Sequence, residues 1–74
     1  MSSRSKLLNH LKRHRRSADL TQQALADIVG VTRQTILSIE RGRYRPSVEL
    51  ALELARAFGL PVEDLFELED HDEK

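Results

Sequence analysis

The sequence predicts an all-α fold of five short helices, and three observations support that prediction. Apolar residues recur at intervals of three and four along most of the chain, the spacing of one helix face. Capping residues stand before three of these runs, at Thr21, Thr32 and Ser47. Glycines follow two of the runs, at Gly30 and Gly59, where a helix can end in a left-handed conformation.

Length and composition limit the classes of protein to consider. The 74 residues predict a single domain with a modest core, because so short a chain buries only about 60% of its unfolded surface. The absence of cysteine excludes a disulfide framework and fits a reducing compartment. No apolar run approaches the roughly 20 residues that span a bilayer, and no signal-peptide core is present. We therefore expect a cytoplasmic protein without membrane contact.

A net charge of zero hides a separation of charge along the chain. Residues 1–45 hold ten Lys and Arg against three acids, a net charge of +7. Residues 46–74 hold two Lys and Arg against nine acids, a net charge of −7. This separation predicts one face that meets a polyanion and another that is turned away from it.

A first helix is predicted over residues 5–17. Its inner stripe is formed by Leu7, Leu11, His14 and Ala18. We interpret His14 as a structural residue that is either hydrogen-bonded in the core or rolled toward water, with pH sensing as an alternative. No other His shares a ligand spacing with it, so neither a metal site nor a cofactor is expected.

Residues 21–42 are predicted to form two short helices joined by a tight turn at Gly30. On the second of these helices, Ile36 and Ile39 mark the core side. The opposite arc consists of Arg33, Gln34, Leu37, Ser38 and Arg41. It holds no acid, whereas a solvated helix face usually mixes Glu and Lys. Arg can donate to guanine, Gln to adenine and Ser to either, and an aliphatic group can touch thymine. The expected readers of base edges in a DNA major groove are Arg33, Gln34, Leu37 and Ser38.

The stretch TQQALADIVGVTRQTILSIERGRYRPS resembles the helix-turn-helix of the phage-repressor family of DNA-binding proteins (Cro and C1-like, XRE). The shared pattern is TQ, LA, G, T-x-Q-x-I and I-E-R-G, and the resemblance extends over residues 5–66. It implies a lambda-repressor-like domain over residues 1–74, with the motif at 21–42. The C-terminal tail, residues 67–74, is either flexible or dimer-forming.

The resemblance also implies roles for individual residues. Arg15 and Glu40 match an ion pair that clamps the first helix to the recognition helix, the second helix of the motif. Gln22 matches a residue that contacts a DNA phosphate at a helix N-terminus, where backbone N–H groups favour an anion. The basic loop after Gly42 is placed to reach flanking phosphates, although a solvated loop is the alternative. The expected phosphate contacts are Gln22, Thr32, Arg41, Arg43, Tyr44 and Arg45.

The C-terminal half predicts a fourth helix from Ser47 to Gly59 and a short fifth helix over residues 60–66. The expected core residues of the fourth helix are Val48, Ala51, Leu54, Ala55 and Phe58. Leu50 and Leu52 widen its apolar arc beyond the needs of one small core, which indicates a second contact surface.

The resemblance also implies a twofold interface, because helix five and the segment after it commonly form one in compact members of that family. The residues expected there are Leu50, Leu65, Phe66 and Leu68. Phe66 and Leu68 would lie on one face of a short strand that pairs with its twin, and the alternative is a tail folded over its own core.

These observations together predict a transcriptional regulator, specifically a repressor. It would bind double-stranded DNA as a homodimer on an inverted repeat, with recognition helices about 34 Å apart. An alternative is an antitoxin-like or adaptor protein whose C-terminal half binds another protein. An enzyme is disfavoured, because Ser, His and Asp do not form a nucleophile elbow, a phosphate loop or a metal-binding spacing.

Overall fold

The computed structural model describes residues 6–69, which form five helices and two short strands. In chain order they are β1 (Leu7–Asn9), α1 (Leu11–Ser17), α2 (Gln22–Val29), α3 (Arg33–Glu40), α4 (Val48–Phe58), α5 (Val62–Leu65) and β2 (Phe66–Leu68). The predicted five-helix fold with a short C-terminal strand is confirmed. The part of the predicted tail beyond residue 69 lies outside the described residues.

Side-chain caps set the starts of three helices. The hydroxyls of Thr21, Thr32 and Ser47 each accept a hydrogen bond from the backbone N–H three residues on, at 2.9, 3.2 and 3.0 Å. Gly30 ends α2 at φ +79°, a left-handed conformation that glycine adopts without steric cost. Its N–H donates to the Ala26 carbonyl at 2.8 Å. The turn between α2 and α3 is therefore fixed by local interactions, as the sequence predicts.

Every helix contributes to one apolar core. Its buried members are Leu11, Leu25, Ala26, Ile36, Ile39, Leu54, Ala55 and Leu65. The prediction that Ile36 and Ile39 mark the core side of α3 is confirmed, since they are 0% and 1% exposed. The prediction for Val48 is wrong, because this residue is 77% exposed at the first turn of α4. The apolar arc of α4 is wider than the surface it packs against, and Leu50 and Leu54 occupy the inner side.

The N-terminal part of the predicted first helix is instead a strand. Leu7 pairs with Leu68 and Asn9 with Phe66 in an antiparallel two-stranded sheet, and α1 begins only at Leu11. The His10 N–H extends this pairing by donating to the Leu65 carbonyl at 2.8 Å. The backbone of residues 7–10 is thus hydrogen-bonded to the C-terminal segment and is not available for a helix. Leu7 is therefore not on the inner stripe of α1.

β2 pairs with β1 of the same chain. Of the two possibilities for the C-terminal segment, the structure therefore shows the tail folded over its own core. The expectation that this strand pairs with its twin is corrected in that respect. Leu65 is 0% exposed and belongs to the core, so it has no surface to offer a second copy. Phe66 is half-buried against the same core, whereas Leu68 is 65% exposed.

His14 is packed on α1 with an unsatisfied nitrogen. Its Nε2 is buried and has no hydrogen-bond partner among residues 6–69, which corrects the expectation of a hydrogen-bonded core histidine. The ring is tilted against Phe58, with 6.3 Å between ring centroids. The contact is therefore largely apolar, and the buried nitrogen is a cost to stability.

We expect His14→Leu to raise the free energy of unfolding by about 1 kcal/mol, because it removes a buried polar atom that lacks a partner. Urea denaturation followed by circular dichroism measures the change. His10→Leu is the matched control, since the His10 Nε2 lies 3.3 Å from the Glu67 Oε1 and is not an orphan. A less stable His14→Leu protein would show that the imidazole contributes a favourable interaction.

Candidate nucleic-acid interface

The recognition helix α3 packs against the core on one side and is exposed to solvent on the other. Ile36 and Ile39 fix it to the core. Its C-terminal end is closed by Gly42, which has φ +74° and turns the chain so that the Arg43 N–H donates to the Ser38 carbonyl at 2.9 Å. The arc opposite the core therefore faces outward on a firmly positioned helix.

The four expected base readers lie on this outward arc. Arg33 and Gln34 are exposed in the first turn, and Leu37 and Ser38 are half-buried one turn later. The Gln34 Nε2 lies 3.4 Å from the Ser38 Oγ, a weak contact that base edges can replace. The arc offers guanidinium, amide, hydroxyl and aliphatic groups, which together match the chemistry of major-groove base edges.

Two clefts beside α3 contain most of the expected DNA contacts. The first, which we call the α1 cleft, has a volume of about 330 Å³ and lies between α1 and α3. It contains Gln22, Arg33, Leu37 and Arg41. The second, which we call the loop cleft, has a volume of about 280 Å³ and lies between α3 and the basic loop. It contains Gln34, Thr35, Ser38, Arg43 and Tyr44.

Two expected phosphate contacts lie outside both clefts. Thr32 caps α3, and its hydroxyl oxygen lies 3.1 Å from the Thr35 hydroxyl as well as accepting the Thr35 N–H. Arg45 is exposed in the loop before α4. Both positions are open to solvent and lie outside the lining of either cleft.

A hydrogen-bonded network joins α1, α2 and α3 at the floor of the α1 cleft. The Arg15 Nε donates to the Glu40 Oε2 at 2.6 Å, and a second guanidinium nitrogen donates to the Glu40 Oε1 at 3.2 Å. A third nitrogen of Arg15 donates to the Leu20 carbonyl at 2.8 Å. The side chains of Arg15 and Glu40 are only 10% and 3% exposed. Such a two-point, largely buried ion pair fixes the orientation of α3 relative to α1.

Gln22 belongs to the same network. Its Nε2 donates to the Glu40 Oε1 at 3.1 Å. An amide nitrogen carries two N–H groups, so one remains to donate to another acceptor. The ion pair therefore positions the side chain that the resemblance assigns to a phosphate, at the first residue of α2.

Three polar residues near α3 were missed at the level of sequence. Lys12 and Arg16 are exposed on α1 and line the α1 cleft. The Asn9 side chain donates to the Ile39 carbonyl at 3.0 Å, which ties β1 to the C-terminal end of α3. An available signal for the first two was the run LKRHRRS, which has no acid. No local pattern indicates the contact of Asn9, because its partner is 30 residues away.

The acids of the C-terminal half line other clefts. Glu63, Asp64 and Glu67 surround a cleft of about 530 Å³ that also contains His10, Arg13 and His14. The sole acid lining either cleft beside α3 is Glu40. The acids of the C-terminal half thus line neither of the two clefts beside α3. Between residues 6 and 69, no group of three or more His, Asp or Glu side chains is placed to hold a metal ion.

None of the helices within residues 6–69 is long and apolar enough to cross a membrane.

Comparison with known proteins agrees with the geometry of the motif. The sequence model of the helix-turn-helix family matches residues 11–65. An uncharacterized helix-turn-helix-type transcriptional regulator of Methanocaldococcus jannaschii is 50% identical over 62 residues, covering 84% of this chain and 94% of that protein. A similar regulator of Methanothermobacter thermautotrophicus is 51% identical over 61 residues, covering 81% and 88%.

A solved structure supports the same assignment. The restriction-modification controller protein C.AhdI of Aeromonas hydrophila superposes with a TM-score of 0.69 at 30% identity, covering 73% of this chain and 78% of that one. The two archaeal relatives are helix-turn-helix-type transcriptional regulators. The chain belongs to the helix-turn-helix family of phage-repressor type (Cro and C1-like, XRE), and is a DNA-binding transcriptional regulator.

Proposed function

We propose that this regulator is a sequence-specific repressor that binds an inverted repeat in double-stranded DNA as a homodimer. The observation that supports sequence specificity is the acid-free outward arc of α3, which has several cations in the cleft on one side and Arg43 in the cleft on the other. Arg33, Gln34, Leu37 and Ser38 read base edges in the major groove. Repression follows from occupancy, because a protein bound over a promoter excludes the transcription machinery.

The phosphate contacts fix the position of α3 on the duplex. Gln22, held by Glu40, donates to a phosphate at the first turn of α2. Thr32 donates from the start of α3. Arg41, Arg43, Tyr44 and Arg45 follow the recognition helix and contact the flanking backbone, which sets the register without reading sequence.

The small size of one recognition element supports a homodimer. Eight residues of α3 extend about 12 Å and can reach only a few base pairs. Two copies on half-sites one helical turn apart double the number of bases read. Leu68, with Phe66 and Leu50 beside the core, is the proposed contact surface, while Leu65 is excluded by its burial.

Selection from a random duplex library tests the DNA part of the proposal, and sedimentation at micromolar concentration tests the dimer. We expect an enriched inverted repeat with half-site centres about 10 base pairs apart. The expected mass in solution is twice the monomer mass of 8.5 kDa. Unenriched DNA would contradict sequence-specific binding, and a monomeric mass with one copy per enriched duplex would contradict the homodimer.

A second candidate function is an antitoxin-like or adaptor role in which the C-terminal half binds another protein. The observation that favours it is the outer face of α4, where Val48 is 77% and Leu52 is 53% exposed. These residues are four apart and share one helix face. Affinity capture of the tagged chain that recovers a stoichiometric partner would support this role. A clean self-dimer would count against it.

A further inference from the structure

The helix α1 presents free positive charge beside the recognition helix. Its seven residues include four cations and no acid. Arg15 is buried in its pair with Glu40, whereas Lys12 and Arg16 are exposed. The two exposed residues are four apart, so they lie on the same face of the helix. No carboxylate among residues 6–69 forms an ion pair with either of them.

Both residues line the α1 cleft, together with Arg33 and Arg41 from the other side. The lining of this cleft holds five cations and one carboxylate. That carboxylate, Glu40, is neutralised by Arg15 at the floor, so four cations remain free around the rim. With Arg33 assigned to a base edge, Lys12 and Arg16 border the cleft opposite Arg41, and such an arrangement suits an extended anion that runs through the cleft, as a nucleic-acid backbone does.

The loop cleft lies on the opposite side of α3 and holds Arg43 and Tyr44. A helix in the major groove has a phosphate backbone on each side, since the two strands form the walls of the groove. The two clefts beside α3 therefore correspond to the two strands of the duplex.

We propose that Lys12 and Arg16 bind phosphates of one DNA strand in the α1 cleft, while Arg43 and Tyr44 bind the other strand in the loop cleft. The inference rests on the proposed binding of double-stranded DNA and adds α1 as a contact element. It assigns the function of a backbone clamp to residues outside the helix-turn-helix motif. The basic charge of α1 then increases the affinity for DNA and fixes the position of the protein along the duplex, whereas α3 reads the bases.

The double variant Lys12→Gln/Arg16→Gln tests the clamp on the duplex that wild-type protein enriches from a random library. Each lost phosphate contact is expected to lower affinity about tenfold near 0.1 M salt and to reduce the salt slope by about 0.9. The loss should be the same on enriched and random duplexes. Arg56→Gln is the matched control, because this exposed cation on α4 lines neither cleft. Thermal unfolding checks that every variant remains folded.

Methylphosphonate substitution, one phosphate at a time, gives a readout that a merely structural role would not produce. We expect wild-type protein to be sensitive at phosphates on both strands of each half-site. The double variant should lose sensitive positions on one strand only, namely those that Lys12 and Arg16 contact, and Arg43→Gln should lose a position on the other strand.

A double variant that matches Arg56→Gln in affinity, salt slope and sensitive phosphates would overturn the clamp while leaving the proposed function intact. Uniform weakening in which every phosphate that is sensitive with wild-type protein is still sensitive would also overturn it. A wild-type protein that binds no duplex at all would overturn the proposed function and the clamp together.

Discussion

Glu40→Ala is expected to lower the free energy of unfolding by about 3 to 5 kcal/mol, the usual cost of removing one partner of a buried ion pair. The substitution leaves the Arg15 guanidinium, whose side chain is 10% exposed, without its carboxylate. It also removes the acceptor of the Gln22 amide. Because small domains have only about 5 to 15 kcal/mol of stability, much of the population should unfold under mild urea. Equilibrium urea denaturation by circular dichroism measures the effect.

Two further variants separate charge from packing. Glu53→Ala removes an exposed carboxylate of α4 and should change stability by less than about 0.5 kcal/mol. Arg15→Met/Glu40→Leu removes both charges and should recover much of the loss, since no uncompensated charge stays buried. The double variant should still bind DNA more weakly than wild type, because Gln22 has lost the group that orients it. A loss below about 1 kcal/mol in Glu40→Ala would contradict the assigned role of the pair.

Arg33→Ala is expected to weaken binding to the enriched duplex by about 1 to 3 kcal/mol and to relax preference at one base position. The guanidinium is exposed at the first residue of α3, where it can donate two hydrogen bonds to guanine. Fluorescence anisotropy on a panel of single-base duplex variants measures both effects. Random duplex should lose much less affinity than the enriched duplex does.

Arg43→Ala provides the matched comparison from the loop cleft. It should weaken all duplexes alike and reduce the salt slope by about 1, as expected for a phosphate contact. Uniform losses in both variants would show that Arg33 contacts the backbone and that the base readers have been misassigned.

The parts of the fold that follow from neighbouring residues could be predicted from the sequence. The caps at Thr21 and Thr32 and the burial of Ile36 and Ile39 depend on interactions within one or two helical turns. β1 could not be predicted in this way, because its partner Phe66–Leu68 lies at the other end of the chain. Leu7 fits a helical stripe by spacing alone, and only the tertiary pairing decides against that stripe.

The same distinction applies to the candidate site. The chemistry of the outward arc of α3 is visible in the order of its residues, and so the base readers could be proposed from sequence. The place of Lys12 and Arg16 beside α3 depends instead on how α1 docks. That docking is set by Arg15 and Glu40, which are 25 residues apart. The basic sequence of α1 alone therefore does not indicate a DNA contact, because its position beside α3 must first be known.

Modified guanines in the enriched duplex test most directly whether α3 reads base edges from the major groove. 7-Deazaguanine lacks the N7 acceptor of the major groove, whereas inosine lacks the amino group of the minor groove. At the guanine assigned to Arg33, 7-deazaguanine should weaken wild-type binding by about 1 to 3 kcal/mol, and inosine should leave it nearly unchanged. Weakening by inosine with no effect of 7-deazaguanine would place the protein in the minor groove and contradict the account.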